Sequence, residues 1–126
     1  MRNMSFALTT SQIMEGSKDV TRRMGWTFLK VGDLLRPVKK CMGLRPGEKL
    51  AVLRGPIRVV SLRRERLDLM TSDLKYGFEE VHREGFEFHP AYCFPSTWVD
   101  MFCASHKGCT PATVITRIEF SYGDES

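Results

Sequence analysis

A chain of 126 residues with 42% hydrophobic and 27% charged content can bury one ordinary core, so a single domain over residues 1–126 is expected. No apolar run approaches the roughly 18 residues that cross a bilayer, and Met1 to Glu15 holds no long apolar stretch before a small-residue cleavage site; a soluble, cytoplasmic chain without a membrane partner is expected. Nineteen Lys and Arg against fifteen Asp and Glu leave a net charge of +4, which favours polyanionic partners. The positive charge gathers at Arg22 and Arg23, at Lys39 and Lys40, and over Arg58, Arg63, Arg64 and Arg66, while Asp124 and Glu125 place negative charge near the C-terminus.

In chain order, Ser5 to Thr9 is a short apolar run with a β-branched end, and Thr10 or Ser11 can cap one turn carrying Gln12, Ile13 and Met14 that Gly16 stops. Lys18 to Arg23 mixes charges with β-formers and has no helical stripe, which predicts an extended, partly exposed strand or loop. Val31-Gly32-Asp33 is a turn signal before Leu34, Leu35 and Val38, a strand that Pro37 confines to an edge or a bulge. Gly43 to Lys49 reads as loop, and Ile57 to Leu62 as the clearest strand, β-branched and bounded by turn residues; these segments together predict a β-meander.

Beyond Arg66 the period changes. Ser72 is the expected cap of a helical segment with Phe78 and Val81, and with Leu74 and His82, near helical spacing, ended by Gly85. Ser96 or Thr97 caps a second helix whose Trp98, Met101 and Phe102 recur at i, i+3 and i+4 and pack on a core. Thr113 to Tyr122 alternates, with Val114, Thr116, Ile118 and Phe120 on one face and Thr113, Ile115, Arg117 and Glu119 on the other. The fold class expected is α+β, a small barrel of short strands with helices packed around it.

Four cysteines without a secretion signal read as thiols rather than as a disulfide framework. Cys103, His106 and Cys109 are spaced C-x2-H-x2-C and with Cys93 make four possible zinc ligands, but paired C-x2-C knuckles are lacking. No metal and no other cofactor is therefore expected.

Lys18, Thr21 and the glutamates of the second half, Glu79, Glu80, Glu84 and Glu87, carry possible acid-base chemistry. A Lys desolvated in a pocket loses basicity enough to act as a base, and a Thr hydroxyl becomes a nucleophile once a base takes its proton. An extended Lys18 to Arg23 places Lys18 and Arg22 on one face and Thr21 on the other unless the chain bends. By themselves such residues are ordinary surface groups. The run Gly16-Ser-Lys-Asp-Val-Thr-Arg-Arg23, then Gly32-Asp33, then Glu84-Gly85-Phe86, and the strand Val114 to Phe120 resembles the ASCH domain family over nearly the whole chain.

That resemblance implies a PUA-like β-barrel flanked by helices, with a cleft beside the barrel, and a role with RNA. It puts RNA or a modified nucleoside in a basic cleft walled by Lys18, Thr21, Arg22 and Arg23, with DNA a possible partner. One bacterial branch, similar in its G-x-K-x-x-T-x-R run, hydrolyses N4-acetylcytidine to cytidine and acetate with a Lys, a Thr three residues on and a later Glu. Carried over by motif, these fall on Lys18, Thr21 and Glu84, and an amidohydrolase is the alternative function. A further branch is ribonuclease-like, which makes metal-independent RNA cleavage a second alternative. The chain departs from the amidohydrolase branch in a longer middle, Met24 to Lys30 and Cys41 to Gly55, and in the context of Glu84. Among the aromatic residues Trp26, beside Arg23, Gly25 and Lys30, is the expected platform for a stacked base, and Trp98 is expected in the core.

Overall fold

The computed structural model describes residues 1–123, so Asp124 and Glu125 lie outside the described residues. Its elements are β1 (Arg2–Ser5), α1 (Thr10–Glu15), β2 (Val20–Arg23), β3 (Leu34–Val38), β4 (Ile57–Arg66), α2 (Leu69–Ser72), α3 (Leu74–Arg83), α4 (Pro95–Ser105) and β5 (Val114–Tyr122). The strands form one five-stranded sheet in the order β1-β3-β4-β5-β2, so the fold is α+β with an open sheet whose edges are β1 and β2.

The pairing is not that of a meander. β1 runs parallel to β3, and β5 lies antiparallel between β4 and β2, so β3–β4 and β4–β5 are consecutive neighbours, the second joined through the helices, while β1 and β2 pair out of chain order. Alternation in a sequence reports that a segment is a strand and which side chains share a face, but not its neighbour. Pro37 corrects a second expectation, because β3 is an interior strand. Its ladder to β4 ends at Leu35 opposite Ile57, so the missing N–H of Pro37 falls where no β4 partner remains. β4 itself runs four residues past Leu62, its charged tail Arg63 to Arg66 paired with Thr116 and its neighbours on β5. An irregularity between Val59 and Ser61 inserts one extra residue, and Val60 is exposed there.

β5 separates two apolar clusters, which explains why its clean alternation is apolar on one side and mixed on the other. Ile118, Phe120 and Tyr122 face Met4, Phe6, Ile13, Leu35, Ile57 and Val59. Ile115 faces the helices, packed among Leu67, Met70, Val81, Trp98 and Phe102. Trp98 and Phe102 are buried as their spacing predicts.

Two helix details differ from the sequence reading. Asp73, not Ser72, caps α3 by accepting from the Tyr76 N–H, and α4 starts at Pro95 behind Phe94 rather than at Ser96 or Thr97. The buried face of α3 is Gly77, Glu80 and Val81, whereas Leu74 and Phe78 are exposed. A carboxylate thus occupies a core position, for reasons set by the site below. Gly77 lets α3 approach α2: a Cβ there would lie 1.9 Å from the Met70 carbonyl oxygen and 2.9 Å from Pro95 Cγ. Because backbone rather than a flexible side chain blocks the space, Gly77→Ala is expected to cost about 3 kcal/mol or more, measurable as a shift in the urea midpoint at unchanged slope.

Candidate functional site

β2 is an edge strand with Val20, Thr21 and Arg22 buried, while Asp19 and Arg23 at either end of them are partly exposed. Its register places Arg22 opposite Arg117 and Thr21 opposite Ile118. Side chains directly opposed share a face, so Arg22 turns toward the helices and Thr21 toward the opposite face. Lys18 precedes the strand and is held there by the buried Tyr122 hydroxyl, which donates to its carbonyl oxygen. A cavity of about 180 Å³ at this place is lined by Lys18, Thr21, Arg23, Glu84, Phe86 and His106, among others. The sequence-predicted set Lys18, Thr21 and Glu84 is therefore brought to one cavity.

Lys18 Nζ donates to the Glu84 carbonyl oxygen at 2.6 Å and to Glu84 Oε1 at 2.8 Å, both groups being almost wholly buried. Burial pushes the Lys18 ammonium below its usual range, against the opposing pull of the Glu84 charge. A neutral amine has two N–H bonds, and two acceptors on Glu84 engage both of them. Its lone pair is then the group left for other work. Glu84 sits at the end of α3, followed by Gly85 at φ +94°; that left-handed backbone turns the chain from α3 toward Phe86.

Thr21 Oγ1 accepts from Arg23 Nε at 3.0 Å. With its oxygen already receiving one proton, the hydroxyl is free to donate its own. Arg23 Nη2 also reaches the Ser5 carbonyl at 2.7 Å, crossing from edge strand β2 to edge strand β1. Burial pushes Arg23 down to about 10, which still leaves it cationic at neutral pH.

Arg22 lines the same cavity, as expected of the cleft wall, but its charge is turned inward. Its guanidinium is enclosed and bonded to Glu80 at 2.5 Å, Glu65 at 2.9 Å, Tyr76 Oη at 3.1 Å and Glu84 at 3.3 Å. Burial opposes its charge, but Glu84 and Glu80 more than offset that and raise its basicity further. Glu80 is also gripped by Arg117, with Nε at 2.5 Å and Nη2 at 3.1 Å. Sequence reasoning named Glu80 only as one of four candidate glutamates and missed its partners Glu65, Tyr76 and Arg117; their one signal was Arg117 within an otherwise β-branched strand interior.

Trp26 does not meet the Lys18 cavity. It borders a separate hollow with Leu62, Arg63 and Arg64. The zinc expectation, that no site forms, can be set beside the geometry: Cys103 and Cys109 touch at 3.7 Å between sulfurs, while the His106 ring stacks on Phe102 and its Nδ1 lies 2.8 Å from the Phe102 carbonyl. No helix among the described residues is long and apolar enough to cross a membrane.

No family model matches the chain, and no curated protein matches it. A solved structure does: the crystal structure of protein EF3133 from Enterococcus faecalis V583, described with the family model DUF984, matches over 91% of this chain and 69% of its own, with a TM-score of 0.52 and 11% identity. At that identity the likeness concerns architecture alone, and the chain shares the mixed α+β fold of that protein.

Proposed function

We propose that the chain is an ASCH domain of the PUA-like barrel type that hydrolyses the amide of a small acylated nucleoside, of the N4-acetylcytidine kind. The observation that carries this reading is the meeting of Lys18, Thr21 and Glu84 at one cavity open to solvent, with Lys18 bonded to Glu84 at 2.8 Å. Arg23, spanning from β2 to the Ser5 carbonyl of β1, supports the barrel-like arrangement of the two sheet edges. The size of the cavity supports a small substrate. Its roughly 180 Å³ compares with a cavity of about 150 Å³ that holds benzene, so one ring and its substituent are accommodated.

In this mechanism the neutral Lys18 amine takes the proton of the Thr21 hydroxyl, or of a water beside it, as the oxygen attacks the acyl carbon. The carbonyl π pair moves onto its oxygen, and the cationic Arg23 at the Thr21 oxygen disperses the negative charge. When the C–N bond breaks, its electron pair leaves with the amine, which takes the proton back from Lys18 through Glu84. Where Thr21 is the nucleophile, a water then hydrolyses the ester by the same proton route. The Lys18–Glu84 pair thus returns to its starting state each cycle.

Incubation with N4-acetylcytidine is expected to yield cytidine and acetate in equal amounts, followed by chromatography. The same preparation is expected to leave labelled single-stranded RNA uncleaved, with or without a chelator. An intact N4-acylated nucleoside series, acetyl through short acyl chains, in the presence of folded protein would overturn the reading.

A further inference from the structure

Trp26 is the sequence feature that the Lys18 cavity does not absorb, and its surroundings have their own chemistry. Among the described residues it is the only non-glycine with positive φ, at 55°, following Gly25 at 74°. Bulky side chains rarely hold that backbone, and such strain gathers at functional positions. Here the turn is pinned from beneath, because Thr116 Oγ1 donates to the Gly25 carbonyl at 2.5 Å. The indole consequently lies against the β4–β5 part of the sheet, at a hollow of about 240 Å³ bordered by Leu62, Arg63 and Arg64.

Phe28 extends the aromatic surface. Its ring centre is 5.4 Å from that of Trp26 at a 35° tilt, and its side is half exposed. The Arg2 guanidinium lies 4.2 Å from the Phe28 ring centre. Arg64 is exposed and has no ion-pair partner among the described residues, whereas Arg63 shares its charge with Glu65 and Tyr76. The hollow has no carboxylate in its lining, in contrast to the Lys18 cavity with its Glu84.

We propose that this hollow is a second site, which binds a base of a single-stranded nucleic acid by stacking on Trp26 while Arg64 and Arg63 hold the flanking phosphates. The site fits a single strand because a duplex keeps its base faces stacked inside, whereas an unpaired base offers its π-face to an indole. Recognition is sequence-tolerant. Beyond Trp26 and the arginines the polar lining is Thr27 and Thr116, with no side-chain amide or carboxylate to read a base edge. The inference does not rest on the chemistry of Lys18, and either reading stands if the other fails.

The test is a titration with short oligouridylate and oligothymidylate, read by tryptophan emission and by anisotropy of end-labelled strands, with heparin as a polyanion that lacks bases. The wild-type protein is expected to bind the strands with quenching of its emission. Trp26→Gly suits the left-handed backbone and removes only the ring, so circular dichroism should be unchanged while affinity for the strands falls roughly 5- to 150-fold. Heparin binding should be unaffected by that change. Arg64→Ala should weaken binding of both strands and heparin, and lower the salt dependence by about one phosphate contact. Tighter binding of the uridylate would assign RNA as the partner, and equal binding either strand. The proposal is overturned if no strand binds, if Trp26→Gly binds strands as the wild type does, or if its loss is matched with heparin.

Discussion

Replacing Lys18 by Met is expected to lower the rate of N4-acylcytidine hydrolysis by roughly 10²- to 10⁴-fold, the usual worth of a positioned general base. Methionine keeps most of the chain volume, and Glu84 retains Arg22 as a partner at 3.3 Å, so the variant should fold. The effect should appear in kcat more than in KM, because the amine works on the attacking oxygen rather than on the bound ring. Glu84→Gln should fall in the same range, since an amide cannot pass a proton between Lys18 and the leaving amine. A Thr21→Ser variant should retain activity where Thr21→Ala loses it. Loss of turnover with Thr21→Ala and none with Lys18→Met would remove the base from the scheme.

The pH dependence has a definite sign. A protonated Lys18 cannot accept a proton, so the rate should rise with pH as the ammonium titrates. Because burial lowers that titration, the midpoint should lie below the ordinary value of 10.5, and the limb should vanish in Lys18→Met. Measuring kcat/KM from pH 6 to 10 in both proteins separates this from a pH effect on folding, which would persist in the variant.

The strands and the α4 stripe were legible because burial there follows period: Trp98, Met101 and Phe102 on α4, and the alternation of β5, carry their own geometry in their spacing. Pairing was not legible. Nothing in Arg2 to Ser5 says that it runs parallel to β3, since hydrogen bonds between backbones carry no residue signature. In the site, the motif spacing singled out Lys18 and Thr21, yet charged residues read by composition as surface groups are here among the most buried. Glu80 shows why: a carboxylate on the apolar side of α3 violates amphipathic patterning and makes sense only beside Arg22 and Arg117, which come from strands 58 and 37 residues away. Trp26, read as a platform near the Lys18 segment, is half-buried and borders a different hollow, at a glycine-led left-handed turn that spacing alone does not reveal.

Glu80→Gln should be among the most destabilising single changes in the chain, at roughly 3–5 kcal/mol, the cost of breaking a buried ion pair from one side. Glu80 holds two guanidiniums, Arg22 and Arg117, each itself enclosed, and neutralising it leaves Arg117 without its bidentate partner. For a domain of this size such a loss corresponds to a fall in Tm of roughly 10–20 °C. Burial by itself would raise the Glu80 carboxyl, but hydrogen bonds from Arg117 and the charge of Arg22 reverse this and hold it at about 2. The folded carboxyl therefore titrates below the unfolded one, and its contribution is complete above about 4.5 and lost as pH falls through about 2. Acid unfolding of the wild type should steepen across that window, and the steepening should be absent in Glu80→Gln. The double change Glu80→Met with Arg117→Met removes both charges at once and leaves Arg22 bonded to Glu65 and Glu84. It is expected to recover part of the loss, because two apolar chains of similar volume leave no unpaired charge behind. Equal loss in the double and single variants would mean that the unpaired Arg117 charge adds nothing to the loss, and that the contribution of Glu80 runs through Arg22.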